Sequence, residues 1–508
     1  FFFKQKTAYE IKECDWSSDV CSSDLINNGI HPGEPDGIDA CINIVRDFAM
    51  NPTTIPANVV ICIVPVFNID GALQRNSVMR MNQNGPIEFG FRGNARNLDL
   101  NRDFIKCDAE NTAALIRFMR EWNPDVFVDT HVSNGADYPY TMTLISPNTG
   151  QRAVPSREIP YPELFSKDIY QQMKEKGMEI CPYVESIGET PDSGLLEFNQ
   201  TPRYSTGYAA LFHSMGFVTE SHMLKPYPLR VKATIEILKT MIALTEKNKE
   251  SVFAWRQKEA ADYTSNELGF LNWKHNLKLY SEINFKGYVA EHKTSSISGL
   301  DRLYYNRNKT WEKVIPYFNF FTASDTILKP KYYVVPSAWN EVLSLLELND
   351  VKKIILKRDT MIEVESDYII DFKTAAKPYE GHYLHYDIKT RSERGRMLFR
   401  KGDVMIPVIQ DAARFLVESL EPRSNDGFFA WNFFDAVLQQ KEGFSDYVFE
   451  EVAERILTEH PEIELRLDST KSTNKELNSN HWQQLNFIFQ QSEYKEKSHN
   501  RYPVFKIM

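Results

Sequence analysis

Ile30-His31-Pro32-Gly33-Glu34-Pro35-Asp36-Gly37 sets a histidine and a carboxylate three residues apart, in a turn between a short apolar run and a run with helical spacing. From one piece of backbone, these two side chains can close on a single metal ion. The H-x-x-E spacing alone is common in surface turns, so its partners elsewhere in the chain decide its meaning. Downstream, Ile38, Cys41, Ile42, Val45 and Phe48 follow helical spacing, and the turn therefore feeds a packed helix. Asn58 to Phe67 is a continuous apolar run, the texture of a strand buried on both faces. Ala113, Ile116 and Met119 put a helix over 109–122, Val126 to Asp129 forms a short strand, and Tyr140 to Ile145 reads as another. Helices over 161–177 and 205–214 and a strand over Gly216 to Thr219 follow. Strands alternating with helices predict an α/β fold with a mixed, largely parallel sheet flanked by helices, in which ligands gather at the carboxyl ends of the strands.

Composition narrows the classes of function. The 508 residues are 42% hydrophobic and carry a formal charge of -10, enough apolar content for a large core. No run of Lys and Arg stands out that could neutralise phosphates, which argues against a nucleic-acid partner. No apolar run approaches the roughly 18 residues of a membrane span. The six cysteines are neither paired closely nor arranged in C-x-x-C pairs. Residues 1–25 differ in texture from the rest and resemble the translation of a sequencing-adapter read-through. They are expected to be a non-native segment, which would leave an N-terminally truncated domain.

Beyond Tyr227 the chain turns polar, and a single long helix is expected to Tyr263. Residues 277–335 and 352–400 are rich in Tyr, Phe, Val, Ile and Thr with alternation, which suggests strands. One helix is expected near Ala338 to Leu348. The tail reads mostly helical, with Leu416, Leu420, Phe428, Trp431, Phe433 and Phe434 as its core. The expected organisation is an α/β domain over 26–245, a helical connection over 246–265, a β-rich accessory region over 266–405 and a mostly helical C-terminal region over 406–508.

Three further pieces answer the H-x-x-E turn. Phe91-Arg92 through Asp99-Leu100-Asn101-Arg102-Asp103 offers an Asn-Arg pair able to hold a carboxylate between an amide and a guanidinium fork. His131 follows the strand Val126-Phe127-Val128-Asp129-Thr130, where a parallel sheet presents ligands. Glu220 ends the strand Gly216-Phe217-Val218-Thr219.

In this order the pieces resemble the zinc carboxypeptidase family, and the Arg92 to Asn101 interval is similar to that of its regulatory, basic-specific subgroup. The resemblance covers about 26–245. It implies a metallocarboxypeptidase in which His31, Glu34 and His131 hold one Zn2+ ion and leave a fourth position for water. Glu220 would then be the general base and Arg92 the stabiliser of the oxyanion. Asn101 and Arg102 would grip the terminal carboxylate of a peptide or protein substrate, and Tyr208, with Tyr204 as runner-up, would cap the bound residue. Gly33 departs from the arginine that carboxypeptidase A has at this point. The long accessory region resembles that of bacterial exported peptidases, implying a periplasmic or extracellular site. Two alternatives stay open: a zinc-dependent deacylase of the aspartoacylase and succinylglutamate desuccinylase type, and a catalytically inactive binding module. His213 is expected on a helix surface. The loop from Ser77 to Gly90 is expected near the cleft.

Overall fold

The protein is described from a computed structural model over residues 2–3, 22–147 and 161–508. Of the expected non-native segment, residues 1 and 4–21 lie outside the described residues. A seven-stranded sheet organises the first half of the chain. Its early strands are β1 (Phe2–Phe3), β2 (Ser22–Asn27), β3 (Val59–Val64), β4 (Val126–Ser133) and β5 (Met142–Ile145). Next come β6 (Cys181–Pro182), a short β7 (Leu195–Leu196) that belongs to another sheet, and β8 (Met215–His222). The spatial order is β1-β3-β2-β4-β8-β5-β6. Strands β3, β2, β4 and β8 run parallel, β5 runs antiparallel to β8, and β1 is antiparallel to β3. The sheet is thus mixed and largely parallel, as the alternation of elements predicts. The boundary at residue 25 falls inside β2, whose six residues are all buried.

Helices flank both faces. They are α1 (Asp36–Met50), α2 (Ile69–Leu73), α3 (Glu110–Trp122), α4 (Tyr161–Glu175), α5 (Ser205–Leu211), α6 (Tyr227–Lys247) and α7 (Lys249–Ser265). The continuous apolar strands separate their residues cleanly. Val59, Ile61 and Ile63 of β3 pack with Ala40 and Ile44 of α1, Phe165 and Ile169 of α4, and Ile237 and Met241 of α6. Val60 and Cys62 face the other way, with Leu115 and Ile116 of α3 and Tyr208 of α5. This two-sided burial is why β3 reads as an unbroken apolar run. The single long helix expected from Tyr227 is broken at Asn248, whose side-chain amide donates to Leu244 O at 3.0 Å and serves as the cap of α6.

The second half is dominated by long antiparallel pairs. Strands β9 (Leu268–His275), β10 (Ser281–Thr294), β11 (Asp301–Phe318) and β12 (Phe321–Leu328) precede β13 (Tyr332–Val335) and α8 (Asn340–Leu348). Then come β14 (Ile354–Ile355), β15 (Thr360–Thr374), β16 (His385–Phe399), β17 (Val404–Pro407), α9 (Ala413–Leu420) and further helices between residues 446 and 489. The tail is helical over most of its length, but Arg501–Ile507 form a strand, β18, that lies between β13 and β15 in a six-stranded sheet. Its Tyr502, Val504 and Phe505 are buried. They join residues remote in sequence, so no local repeat announces the strand.

The two halves share one core. The apolar cluster that holds α3 and α5 continues into Phe415, Leu416, Phe428, Phe429, Trp431, Phe434 and Tyr502. Strand β11 also pairs in parallel with β7, tying the hairpin of the second half to the first half.

Candidate metal centre and substrate cleft

The sheet register brings the distant motifs together. Strand β4 pairs with β8 so that His131 stands directly opposite Glu220, and Asn27 of β2 opposite Asp129. The turn after β2 then carries His31 and Glu34 over the same edge, closed by a hydrogen bond from Glu34 N to His31 O at 2.8 Å. Gly37 lets α1 start hard against β4, since a Cβ there would lie 1.9 Å from Thr130 Oγ1.

One donor atom from each of His31, Glu34 and His131 lies within 4.8 Å of the others. All three residues are buried, at 3–6% exposure. His31 Nε2 is 2.8 Å from Asp99 Oδ1, while His31 Nδ1 is buried with no hydrogen-bond partner among the described residues, although Glu34 Oε1 is 3.4 Å away. On the second histidine, His131 Nδ1 lies 3.0 Å from Glu34 Oε2 and His131 Nε2 lies 3.3 Å from Asp129 Oδ2. Each ring therefore offers Nδ1 to the centre and has a carboxylate behind Nε2, the arrangement that fixes a histidine as a metal ligand. Two imidazoles, one with an orphaned ring nitrogen, and a carboxylate fit a zinc ion.

The charged groups of the centre act on one another. Burial works against the Glu34 carboxylate, but His31, Arg80 and His131 hold it well below the usual carboxylate range. Burial also opposes the His131 imidazolium, yet Asp129 and Glu34 raise this group well above its usual range. Glu220 sits half-buried on the same cavity, pushed up to about 8 by burial and further by Glu34, against the pull of His131 and Arg92.

A cavity of about 390 Å³ opens over the centre, lined by His31, Glu34, Arg92, Asn101, Arg102, His131 and Glu220 among others. Seven of the eight site residues expected from sequence thus meet in one place. Arg92 donates to Asp99 Oδ2 through Nε at 3.0 Å and reaches within 3.5 Å of Glu34 Oε1 through Nη1. The eighth, Tyr208, does not reach the cavity. It is fully buried in the shared core and its hydroxyl donates to Asn349 Oδ1 at 2.6 Å, because α5 turns this residue toward α3 and α8. Tyr204, one helical turn earlier, lines the cavity together with Tyr183 and Phe198. His213 is buried rather than on a surface.

Other contributors were not singled out by sequence. Asp99, two residues before Asn101, holds both His31 and Arg92. Asp129 receives Ser205 Oγ at 2.6 Å and Asn27 Nδ2 at 3.1 Å. From the loop between Ser77 and Gly90, Met79 to Asn82 line the cavity, and Arg80 Nη1 donates to Glu34 Oε1 at 3.0 Å. Arg80 fits there because position 33 is glycine, where a Cβ would come within 2.6 Å of Arg80 Cδ. An acid behind a ligand histidine is a signal the sequence does contain; an arginine from a loop is not.

Residues 24–210 match the model of the zinc carboxypeptidase family. Over that stretch the chain is similar to zinc carboxypeptidases. It is 18% identical to carboxypeptidase 2 of Trichophyton rubrum over 421 residues, 79% of this chain and 72% of that protein. Among solved structures it is similar to a metallo-carboxypeptidase from Burkholderia cenocepacia, at 18% identity and a TM-score of 0.32, covering 45% of this chain and 58% of that one. Carboxypeptidase A from Helicoverpa armigera is also similar, at 12% identity and a TM-score of 0.32, covering 46% and 63%. The match therefore spans less than two thirds of each of these solved chains. No described helix is long and apolar enough to cross a membrane.

Proposed function

We propose that the protein is a zinc-dependent metallocarboxypeptidase that removes the C-terminal residue of a peptide or protein. The observation that carries this reading is one cavity shared by a three-donor set, a carboxylate opposite it and an Asn-Arg pair.

His31, Glu34 and His131 would hold one zinc ion, and such an ion supplies the Lewis acidity that polarises a carbonyl and acidifies water. Glu220 takes the proton of the attacking water and passes it to the leaving amine. The raised pKa of Glu220 in the metal-free site reflects its burial beside Glu34 and matches a group meant to carry a proton in both directions. Arg92, fixed by Asp99, directs N–H groups at the developing oxyanion, a contribution commonly worth a few kcal/mol.

Recognition of the chain end falls to Asn101 and Arg102. Arg102 stacks its guanidinium 4.5 Å from the Tyr204 ring and donates through Nη1 to Asn101 O at 2.8 Å. Its Nη2 has no protein partner among the described residues and is the edge left for a carboxylate.

The test is release of C-terminal residues from a mixed peptide library, followed by mass spectrometry, with zinc-loaded wild type beside Glu220→Gln. Loss of single residues with wild type alone is the expected result. Zinc binding without release would overturn the reading and make acylated amino acids the next substrates.

A further inference from the structure

A loop of the accessory half reaches the carboxylate-binding pair. Between β15 and β16 the chain turns at Tyr379 to His382, closed by hydrogen bonds in both directions between these two residues. The turn lies against the segment 98–108. Arg102 Nε donates to the Tyr379 hydroxyl at 3.0 Å, and Asp99 N donates to Glu380 Oε2 at 2.7 Å. His382 Nε2 is 2.8 Å from Asp108 Oδ2. Three successive contacts thus fall on the stretch that carries Asp99, Asn101 and Arg102. Glu380 reaches its partner from a left-handed backbone conformation, φ 50°, which costs an ordinary residue roughly 1 kcal/mol or more.

The loop is backed by rigid structure. The Tyr379 ring stacks on Trp431 at 6.1 Å, and Trp431 is fully buried. Arg203, from the catalytic half, lies over both rings and is paired to Asp426 at 2.7 Å. Tyr379 itself does not line the cavity, so it can act on substrate only through Arg102.

We propose that Tyr379 is a positioning residue for substrate recognition, holding the Arg102 guanidinium so that its free edge faces the terminal carboxylate, with Glu380 fixing the backbone behind it at Asp99. This rests on the carboxypeptidase reading and assigns the accessory half a place in the active site. With Nε held by Tyr379 and Nη1 by Asn101, the guanidinium plane has little freedom to rotate. Without the hydroxyl, Arg102 must be ordered by the substrate itself, and that cost falls on binding rather than on the chemical step.

The test uses the full chain, zinc-loaded, and the N-acetylated dipeptide that wild type hydrolyses fastest from an equimolar set. Tyr379→Phe keeps the ring on Trp431 and removes only the hydroxyl. It is expected to raise KM about tenfold with kcat changed less than about twofold, and zinc content and thermal midpoint unchanged. In an Arg102→Gln background the same substitution should add nothing, because the group it positions is gone. Glu380→Gln should raise KM by a smaller factor, about threefold, with kcat again kept. An unchanged KM in Tyr379→Phe, or a loss that persists in the Arg102→Gln background, overturns the proposal while leaving the carboxypeptidase reading intact. Absence of hydrolysis by wild type overturns both.

Discussion

The catalytic sheet and the accessory sheets solve the problem of burying strands in opposite ways. In the first, β2, β3, β4 and β8 run parallel, are short, and are covered by helices on both faces, so nearly every residue is buried. In the second, β10, β11, β15 and β16 are 14 to 18 residues long and pair as antiparallel ribbons, with many exposed positions. A parallel sheet ends all its strands at one edge, and chemistry collects there. An antiparallel ribbon has a turn to offer, and here the turn after β15 is what touches the active site. On the proposed function, the first region supplies reacting groups and the second supplies constraint.

That division can be broken by experiment. The largest effect is expected from Glu220→Gln, which removes the proposed proton carrier from the edge of the parallel sheet. It should lower kcat by about a hundredfold to ten-thousandfold with zinc still bound, measured by steady-state kinetics and metal analysis. Next, Trp431→Ala empties a fully buried site behind the Tyr379 turn and should cost about 3–5 kcal/mol in chemical denaturation. If the shared core is real, both halves unfold in the same transition; two separated transitions would mean that the regions are energetically independent. Asp99→Asn weakens the carboxylate behind His31 and should reduce zinc affinity about 10- to 100-fold in chelator competition.

The smallest effect concerns protons. His131 is raised above its ordinary range in the metal-free protein, so near neutral pH it carries a proton that zinc must displace. Zinc affinity should therefore rise as pH is increased from 6 to 7, by up to about tenfold for one displaced proton. Calorimetry in two buffers of different ionisation enthalpy should report proton release, and none would show that His131 is already neutral.

The core of the catalytic half was legible because its signals are local or nearly so. The unbroken apolar run of β3, the strand ends at His131 and Glu220, and the spacing of His31 and Glu34 each occupy a few residues, and the register of parallel strands then aligns them. Tyr208 misled because both Tyr204 and Tyr208 fit the interval before Glu220, and only the rotation of α5 decides which side chain meets the cavity. The break at Asn248 lies in a run whose apolar spacing continues on both sides, so periodicity could not reveal it. Strand β18 and the contacts of Tyr379 and Glu380 depend on partners more than a hundred residues away, for which a single sequence carries no pattern.

The apolar cluster that runs from Leu25 through α3 and α5 to Tyr502 also bears on modularity. A domain that can be exchanged between proteins needs a surface of its own where it meets its neighbour. Here that surface is interior: Phe212 stacks on Phe415, and Tyr208 is anchored on Asn349. Cutting the chain at the α6–α7 connection would expose these side chains as an apolar patch, and the excised catalytic half would be expected to aggregate rather than work alone. The two halves are accordingly expected to be inherited, and engineered, as one unit.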